Sequence, residues 1–329
     1  MNPFVLLHPA DQYGCGNYRV RWPFDVLVRT GQAQGVESAY LLDAQTLADL
    51  APDVVVFQRL IELDQIARLK QYRKETDAFF VFELDDLISD IPGDNRFAGL
   101  FPRQTLDRLK AAIGLCDRLV VSTLALAAAY GPYASDVVVC SNSLPDVPWA
   151  SLSGGRRCGP RPRVGWAGSA SHLGDLKILY PVVKATSHLV DWVFLGAIPN
   201  VLRRHAVEVH ELVPIDLYPA KLASLDLDLA VAPLEIHPYN DAKSHLRLLE
   251  LGAMGFPVIC SAGVGAFDYD LPVTRVENRP DAWIAAIVAA IADRDALAEQ
   301  GDALRQAIRA DWLMDGRADS WATAWGFTR

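Results

Sequence analysis

The segment NDAKSHLRLLELGAMGFPVICS, residues 240–261, decides how the chain is read. A leucine-rich stretch with a polar start runs to Gly255, then through Phe256 and Pro257 into the apolar run Val258–Cys260. This is the order of a helix feeding a buried strand. Asn240 or Asp241 supplies a cap, Gly255 ends the helix and Pro257 opens the strand. The spacing predicts one helix from about 240 to Met254. Lys243, Arg247 and Glu250 share a face on it, while Leu246 and Leu249 turn toward a core.

The same alternation extends in both directions. FVLLH (4–8), DVVVF (53–57), FFVFEL (79–84), RLVVS (118–122) and VVVCS (137–141) read as strands. They are too continuously apolar to be half exposed, so they belong to a parallel sheet covered on both faces. Helical stretches are expected between them, near 20–30, 62–75, 104–115 and 123–130. SLSGGRRCGPRPR (151–163) breaks the pattern with Gly, Pro and Arg and reads as a linker. Strand-like runs then restart with RVGWAG (163–168), WVFLG (192–196), VEVHEL (207–212), LDLAVAPL (227–234) and PVICS (257–261). A long alanine-rich helix is expected over 280–310. Trp312, Trp321 and Trp325 have the spacing of packing anchors that close the tail onto the body. The expected fold class is α/β, with two doubly wound, Rossmann-like domains over 1–150 and 163–310. A linker spans 151–162, and a C-terminal helix at 311–329 packs back. Ligands of such sheets bind at the carboxyl ends of the strands, so the loops there carry the search for function.

Composition narrows the field. The 329 residues are 51% hydrophobic, which suits large cores and argues against disorder. The formal net charge of −9 disfavours nucleic acid as a partner. The five cysteines, Cys15, Cys116, Cys140, Cys158 and Cys260, are scattered without CxxC spacing and read as reduced thiols of a cytoplasmic protein. The start, MNPFVLLHPADQ, has no basic leader, and no run is long enough to span a membrane. Peripheral contact with a membrane face stays open. There is no GxSxG elbow, HExxH pair or Walker A loop.

Several loops hold chemistry. Lys243 and Ser244, in the first turn of the expected 240–254 helix, offer positive charge and N–H groups to a diphosphate. Glu250, two turns on, can accept hydrogen bonds from two vicinal hydroxyls such as a ribose presents. The competing reading is a solvated Arg247–Glu250 ion pair worth about 0.3–0.5 kcal/mol. After the strand at 163–168, Gly168, Ser169 and the N–H groups up to Ser171 can cradle phosphate, and His172 can donate to phosphate or sugar. Asp175 reads as a first-turn dipole partner. In YGCGNYR (13–19), Gly14 and Gly16 allow close backbone approach, and Arg19 can pair with phosphates. ELDD (83–86) concentrates Glu83, Asp85 and Asp86 at a strand end. They can act as base or acceptor toward a substrate hydroxyl, hold a divalent metal, or cap a helix. In HPYN (237–240), Tyr239 is either a donor-side residue or part of a plain turn.

KSHLRLLELGAMGFPVICS resembles the donor segment of GT-B glycosyltransferases, in particular the retaining nucleotide-sugar enzymes of bacterial polysaccharide synthesis. VVVCSNSLPDVPW (137–149), RVGWAGSASHLGDLKIL (163–179), YGCGNYRVRWPFDVL (13–27) and VFELDDLISDIP (81–92) are similar to other parts of that pattern, in the same order. The resemblance implies two facing domains, with a nucleotide diphosphate sugar on the second. The acceptor on the first would be a glycan, a lipid-linked sugar or a protein. It implies transfer with retention, no cofactor and no essential metal. Glu250 would bind ribose. Lys243, Arg19, Gly168 and Ser244 would meet the diphosphate, with Arg247 between, and Asp85 and Asp86 would face the acceptor. One position departs: where many members have a second Glu eight residues before the ribose-binding one, this chain has Ala242. That departure keeps two alternatives open, a non-catalytic nucleotide-sugar or glycan-binding module and a nucleotide-sugar epimerase of the same architecture.

Overall fold

The structure is a computed structural model that describes residues 2–93, 95–156 and 159–327. Cys158 and the centre of the expected linker lie outside the described residues.

The first half of the chain builds β1 (Phe4–His8), β2 (Gln34–Glu37), β3 (Val54–Gln58), β4 (Phe79–Leu84), β5 (Arg118–Val121) and β6 (Val137–Val139). They form one parallel sheet in the order β2-β1-β3-β4-β5-β6. The second half adds β7 (Arg163–Gly168), β8 (Asp191–Gly196), β9 (Ala206–His210), β10 (Leu229–Ala232), β11 (Val258–Ser261) and β12 (Thr274–Val276). Their sheet is also parallel, in the order β12-β11-β10-β7-β8-β9. Central strands are apolar on both faces because helices cover both. Val55, Phe57, Phe80 and Phe82 face one apolar cluster, and Val5, Val54, Val56 and Val81 face another. Each such side chain contributes about 1.5–3 kcal/mol on burial.

Strand order reverses between β1 and β3 in the first sheet and between β7 and β10 in the second. These are the switch points where an open α/β sheet leaves a crevice. Trp321 and Trp325, both fully buried, close the C-terminal helix Ala318–Ala324 onto the first sheet's core. Trp312 is part-buried and packs against His245.

Three expectations need correction. The helix predicted over 240–254 is two helices, Pro238–Asp241 and Leu246–Ala253, with a turn at 242–245. Asn240 and Asp241 do not cap the second one. Asn240 Nδ2 donates to Asp175 and to the Glu235 carbonyl, and the Asp241 carboxylate accepts from Gly265 N. Gly255 does end the second helix, at φ +81°, which favours glycine. The helix predicted over 280–310 is also two, Pro280–Ala292 and Arg294–Asp311. Asp293, in extended conformation, accepts from Asp295 N and Ala296 N and caps the second. Finally, β2 and β12 were missed. QGVE and TRV each hold a single apolar residue and so carry no apolar signal, whereas the edge strand β6 is legible from its three valines.

Candidate active site

The loops after β1, β4, β7 and β10 converge on a cavity of about 830 Å³ between the halves. From the second half it is lined by Trp166, Gly168, Ser169, His172, Lys243, Ser244, Arg247 and Glu250. From the first half come Gly14, Cys15, Tyr18, Asp85, Asp86 and Asn142. The structure thus brings together most of the residues singled out by their spacing.

Glu250 is the organising group on the second half. It is 5% exposed. Tyr18 Oη donates to its Oε1 at 2.9 Å and Tyr218 Oη to its Oε2 at 3.2 Å. Arg247 Nε lies 3.8 Å from Oε2, and the Arg247 guanidinium also donates to the Ala167 carbonyl. Burial raises the Glu250 pKa above the ordinary glutamate value, against the opposing pull of Arg247 and the two tyrosines. An ionised carboxylate has about four acceptor directions, so the tyrosines leave room for ligand hydroxyls. The surface ion pair considered from spacing is therefore replaced by a part-buried Arg247 beside a buried, tyrosine-held carboxylate.

Lys243 projects from the 242–245 turn. Its Nζ lies 3.0 Å from Asp86 Oδ1 and 4.3 Å from the centre of the Tyr239 ring. Burial disfavours the ammonium, but Asp86 and Tyr239 outweigh it and hold the pKa above the usual lysine value, so the charge persists. Ser244 Oγ accepts from Asn142 Nδ2 at 2.8 Å. Since the following helix begins only at Leu246, Lys243 and Ser244 lie outside its first turn, and neither belongs to a helix N-terminus. Leu246 packs against the apolar cluster as expected and also lines the cavity.

After β7, Ser169 and Ser171 share a hydrogen bond of 2.6 Å at the cavity wall. His172 Nδ1 lies 2.9 Å from Asp175. The carboxylate can only accept, so Nδ1 carries the proton and Nε2 is left for a ligand. Burial lowers the His172 pKa, with Lys243 and Arg247 adding to the effect against Asp175. Asp175 is a hub and not a mere dipole partner: it also accepts from Glu235 N and Asn240 Nδ2.

Three predicted site residues lie elsewhere. Arg19 is fully buried beneath the cleft floor. Its Nε and Nη2 bind Glu83, and its Nη1 donates to the Cys140 carbonyl and to Asn142 Oδ1. Trp325 Nε1 donates to the other Glu83 oxygen. With its donors so occupied inside the core, Arg19 cannot reach a phosphate, and Glu83 is its counter-ion. Gly16 permits a close approach of chain to chain, because a Cβ there would lie 2.0 Å from the Asp11 carbonyl oxygen. Tyr239 is 6% exposed and packs beneath Lys243.

Residue reasoning missed Tyr218, which nothing in the local sequence ties to Glu250. Tyr18 had a faint signal, its place two residues after Gly16. The chain is π-helical over Asn17–Arg21, a widening frequent at functional sites. Tyr18 faces the cavity there, whereas the next residue, Arg19, enters the core.

No family model matches the sequence, and no curated protein matches it. Solved structures do. The chain is similar to a glycosyltransferase from Rickettsia africae, with TM-score 0.66 and 14% identity over 99% of each chain. It is similar to Anabaena HepE in complex with UDP-glucose, with TM-score 0.65 and 12% identity, covering 98% of this chain and 99% of that one. For TarM the TM-score is 0.61 at 12% identity, covering 86% of this chain and 57% of TarM. These likenesses, with the two parallel sheets, show the fold: the chain has the two-domain GT-B architecture.

Proposed function

We propose that this protein is a glycosyltransferase that moves a sugar from a nucleoside diphosphate donor to a glycan, lipid-linked or protein acceptor. The observation that carries the reading is the inter-sheet cavity, in which tyrosine-held Glu250, Arg247 and His172 face Asp85 and Asp86. The cavity reaches the β7/β10 switch point, where a nucleotide suits the second sheet. Ribose hydroxyls would donate to Glu250. The diphosphate would lie toward Arg247, Lys243 and the Gly168–Ser169 turn. As the glycosidic bond breaks, negative charge grows on the leaving diphosphate, and fixed cations stabilise it more than they stabilise the intact donor. The incoming hydroxyl oxygen would bond to the anomeric carbon as the diphosphate leaves, its proton passing to the departing diphosphate, while Asp86 or Asp85 orients that hydroxyl by accepting a hydrogen bond before transfer. Retention and metal-free catalysis are part of this proposal. The GT-B neighbours, one of them holding UDP-glucose, support the nucleotide-sugar donor.

A metal-bound variant has one observation in its favour: ligand atoms of Cys15, Asp85 and Asp86 lie within 4.8 Å of one another. The Lys243 ammonium already balances Asp86, which favours the metal-free form. The binding-module alternative draws on Ala242. It is buried in the first half's apolar cluster, and its carbonyl accepts from Thr123 Oγ1, so it presents no carboxylate to a sugar.

The test is a calorimetric titration of UDP, GDP, dTDP, CDP and ADP into wild type and Glu250→Ala, without metal and then with Mg²⁺ or Mn²⁺. Metal-independent binding of one diphosphate, weakened about ten-fold or more in the variant, is expected from losing a charge-assisted hydrogen bond. Absence of binding, or binding that ignores Glu250 and needs metal, sinks the donor assignment. Nucleotide binding without release of diphosphate from any donor sugar would favour the binding module.

A further inference from the structure

The first sheet has its own crevice. A cavity of about 480 Å³ lies at the carboxyl ends of β1 and β3, the switch point of that sheet, and the expectations from sequence made no use of it. His8 ends β1, Gln58 ends β3, and both line it. Arg59, also in its wall, has φ +51°, a conformation that side-chain-bearing residues adopt at a cost and that clusters at functional sites.

His8 gives the cavity its chemistry. It is 3% exposed and stacks on Phe57, with ring centres 5.4 Å apart. Its Nδ1 lies 3.0 Å from the Ser38 carbonyl oxygen, which can only accept, so Nδ1 carries the proton and Nε2 carries the lone pair. Nε2 is buried and has no hydrogen-bond partner. Burial lowers the His8 pKa to about 4, so the ring is neutral at physiological pH. A buried neutral acceptor in a cavity wall calls for a hydroxyl or N–H donor.

The surroundings point to a neutral ligand. Arg59 pairs with Asp11 at 2.9 Å, and Arg68 pairs with Glu75 at 2.7 Å. Glu62 pairs with Arg108 at 3.2 Å, and the remaining charged residue of the wall, Asp64, is acidic, which disfavours a phosphate. Tyr40 lines the cavity with 82% of its surface exposed, a ready platform for the apolar face of a pyranose. Aromatic face, the Asp64 carboxylate and a lone-pair acceptor together match a ring that carries hydroxyls.

We propose that this cavity is a carbohydrate subsite that takes a neutral glycosyl residue, one hydroxyl donating to His8 Nε2 and the ring lying on Tyr40. Its assignment to the acceptor rests on the glycosyl-transfer reading. Ala10 lines this cavity, while Gln12 to Cys15 line the inter-sheet cleft, so a single turn borders both. Gln58 braces that turn by donating to the Cys15 carbonyl and accepting from Ala10 N. An acceptor longer than one sugar would keep an inner residue here and extend its reacting end past the turn toward Asp85 and Asp86.

The experiment is NMR of the full chain with ¹⁵N-labelled histidine, titrated with the methyl glycosides of glucose, galactose, mannose and N-acetylglucosamine, and separately with glucuronic acid, inorganic phosphate and UDP. The expected result is a saturable shift of the His8 Nε2 resonance by at least one neutral glycoside. Tyr40→Ala, at an exposed position, should weaken that binding roughly five- to ten-fold. His8→Phe, which keeps the stacking on Phe57, should weaken it as well. Preference for phosphate or glucuronate, failure of every glycoside to shift His8, or indifference to Tyr40→Ala would overturn the subsite. Failure of the transferase reading looks different: none of the five nucleoside diphosphates would bind while the glycoside shift at His8 persists.

Discussion

Arg19 and Arg247 carry the same charge and were expected to serve the same diphosphate, yet the fold uses them in opposite ways. Arg19 is fully buried, with donors committed to Glu83, Cys140 and Asn142. Arg247 keeps 23% of its side chain exposed, lines the cleft and stands 3.8 Å from its carboxylate, longer than a hydrogen bond. One guanidinium is saturated inside a core; the other has capacity left and a cavity to use it in. Completeness of partners separates a structural cation from a binding one better than charge or position in a motif does.

The largest effect should come from breaking the saturated pair. Glu83→Gln leaves a permanent guanidinium buried without its counter-ion, at a cost of about 3–5 kcal/mol. Urea unfolding should show it as a lower midpoint. Removing both charges, Arg19→Met with Glu83→Leu, should recover much of the loss, since a buried pair adds little beyond an apolar replacement of similar volume. If Glu83→Gln unfolds like wild type, the pair is not the structural element its burial suggests.

Arg247→Met should do the reverse. The expected outcome is a loss of about ten-fold or more in nucleotide diphosphate affinity, the scale of one charge-assisted hydrogen bond. Unfolding free energy should move by about 1 kcal/mol or less, the scale of a part-exposed ion pair. A variant that binds normally but unfolds easily would make Arg247 a second Arg19.

Acidification sharpens the contrast further. Burial raises the Glu250 pKa, so its carboxylate takes up a proton at a higher pH than an exposed glutamate does. Hydroxyl donors lose their acceptor as that happens. Nucleotide affinity should therefore be full above the raised pKa and fall as pH drops through it, and calorimetry across pH reads the midpoint directly. In Arg247→Met the midpoint should move upward, because the opposing positive charge is gone. Glu250→Gln should flatten the profile. A wild-type profile independent of pH would remove Glu250 from the nucleotide site.

How much of this the sequence carries depends on distance along the chain. The central strands are legible because burial on both faces demands unbroken runs such as VVVF and FFVF, whereas the edge strands QGVE and TRV, with one apolar residue each, leave no such mark. Glu250 and Arg247 are legible because helical spacing puts them on one face. Their neighbours are harder to read. Tyr18 reaches Glu250 from 232 residues away and Tyr218 from 32, and no local pattern encodes either contact. Arg19 misleads for the same reason: its fate is fixed by Glu83, Cys140 and Asn142, all distant in sequence. Lys243 misleads differently. Capping residues at 240–241 look ready to start a helix, but their side chains bind Asp175, Glu235 and Gly265, and the helix starts later.

The smallest expected change in stability belongs to Asp86→Asn, and it bears on how the two halves cooperate. Lys243 and Asp86 are 16% and 19% exposed, so water screens their attraction and the pair contributes about 1 kcal/mol at most. Lys243 keeps its contact with the Tyr239 ring in the variant and stays charged. If Asp86 serves the acceptor, the substitution should lower the rate of sugar transfer while nucleoside diphosphate affinity stays within a few-fold of wild type. If Asp86 instead holds the cleft closed from the first half, nucleoside diphosphate affinity should fall along with transfer, and added salt should reproduce the fall in wild type by screening the pair. Measuring both quantities at two ionic strengths separates a carboxylate that acts on substrate from one that only ties the first sheet to the second.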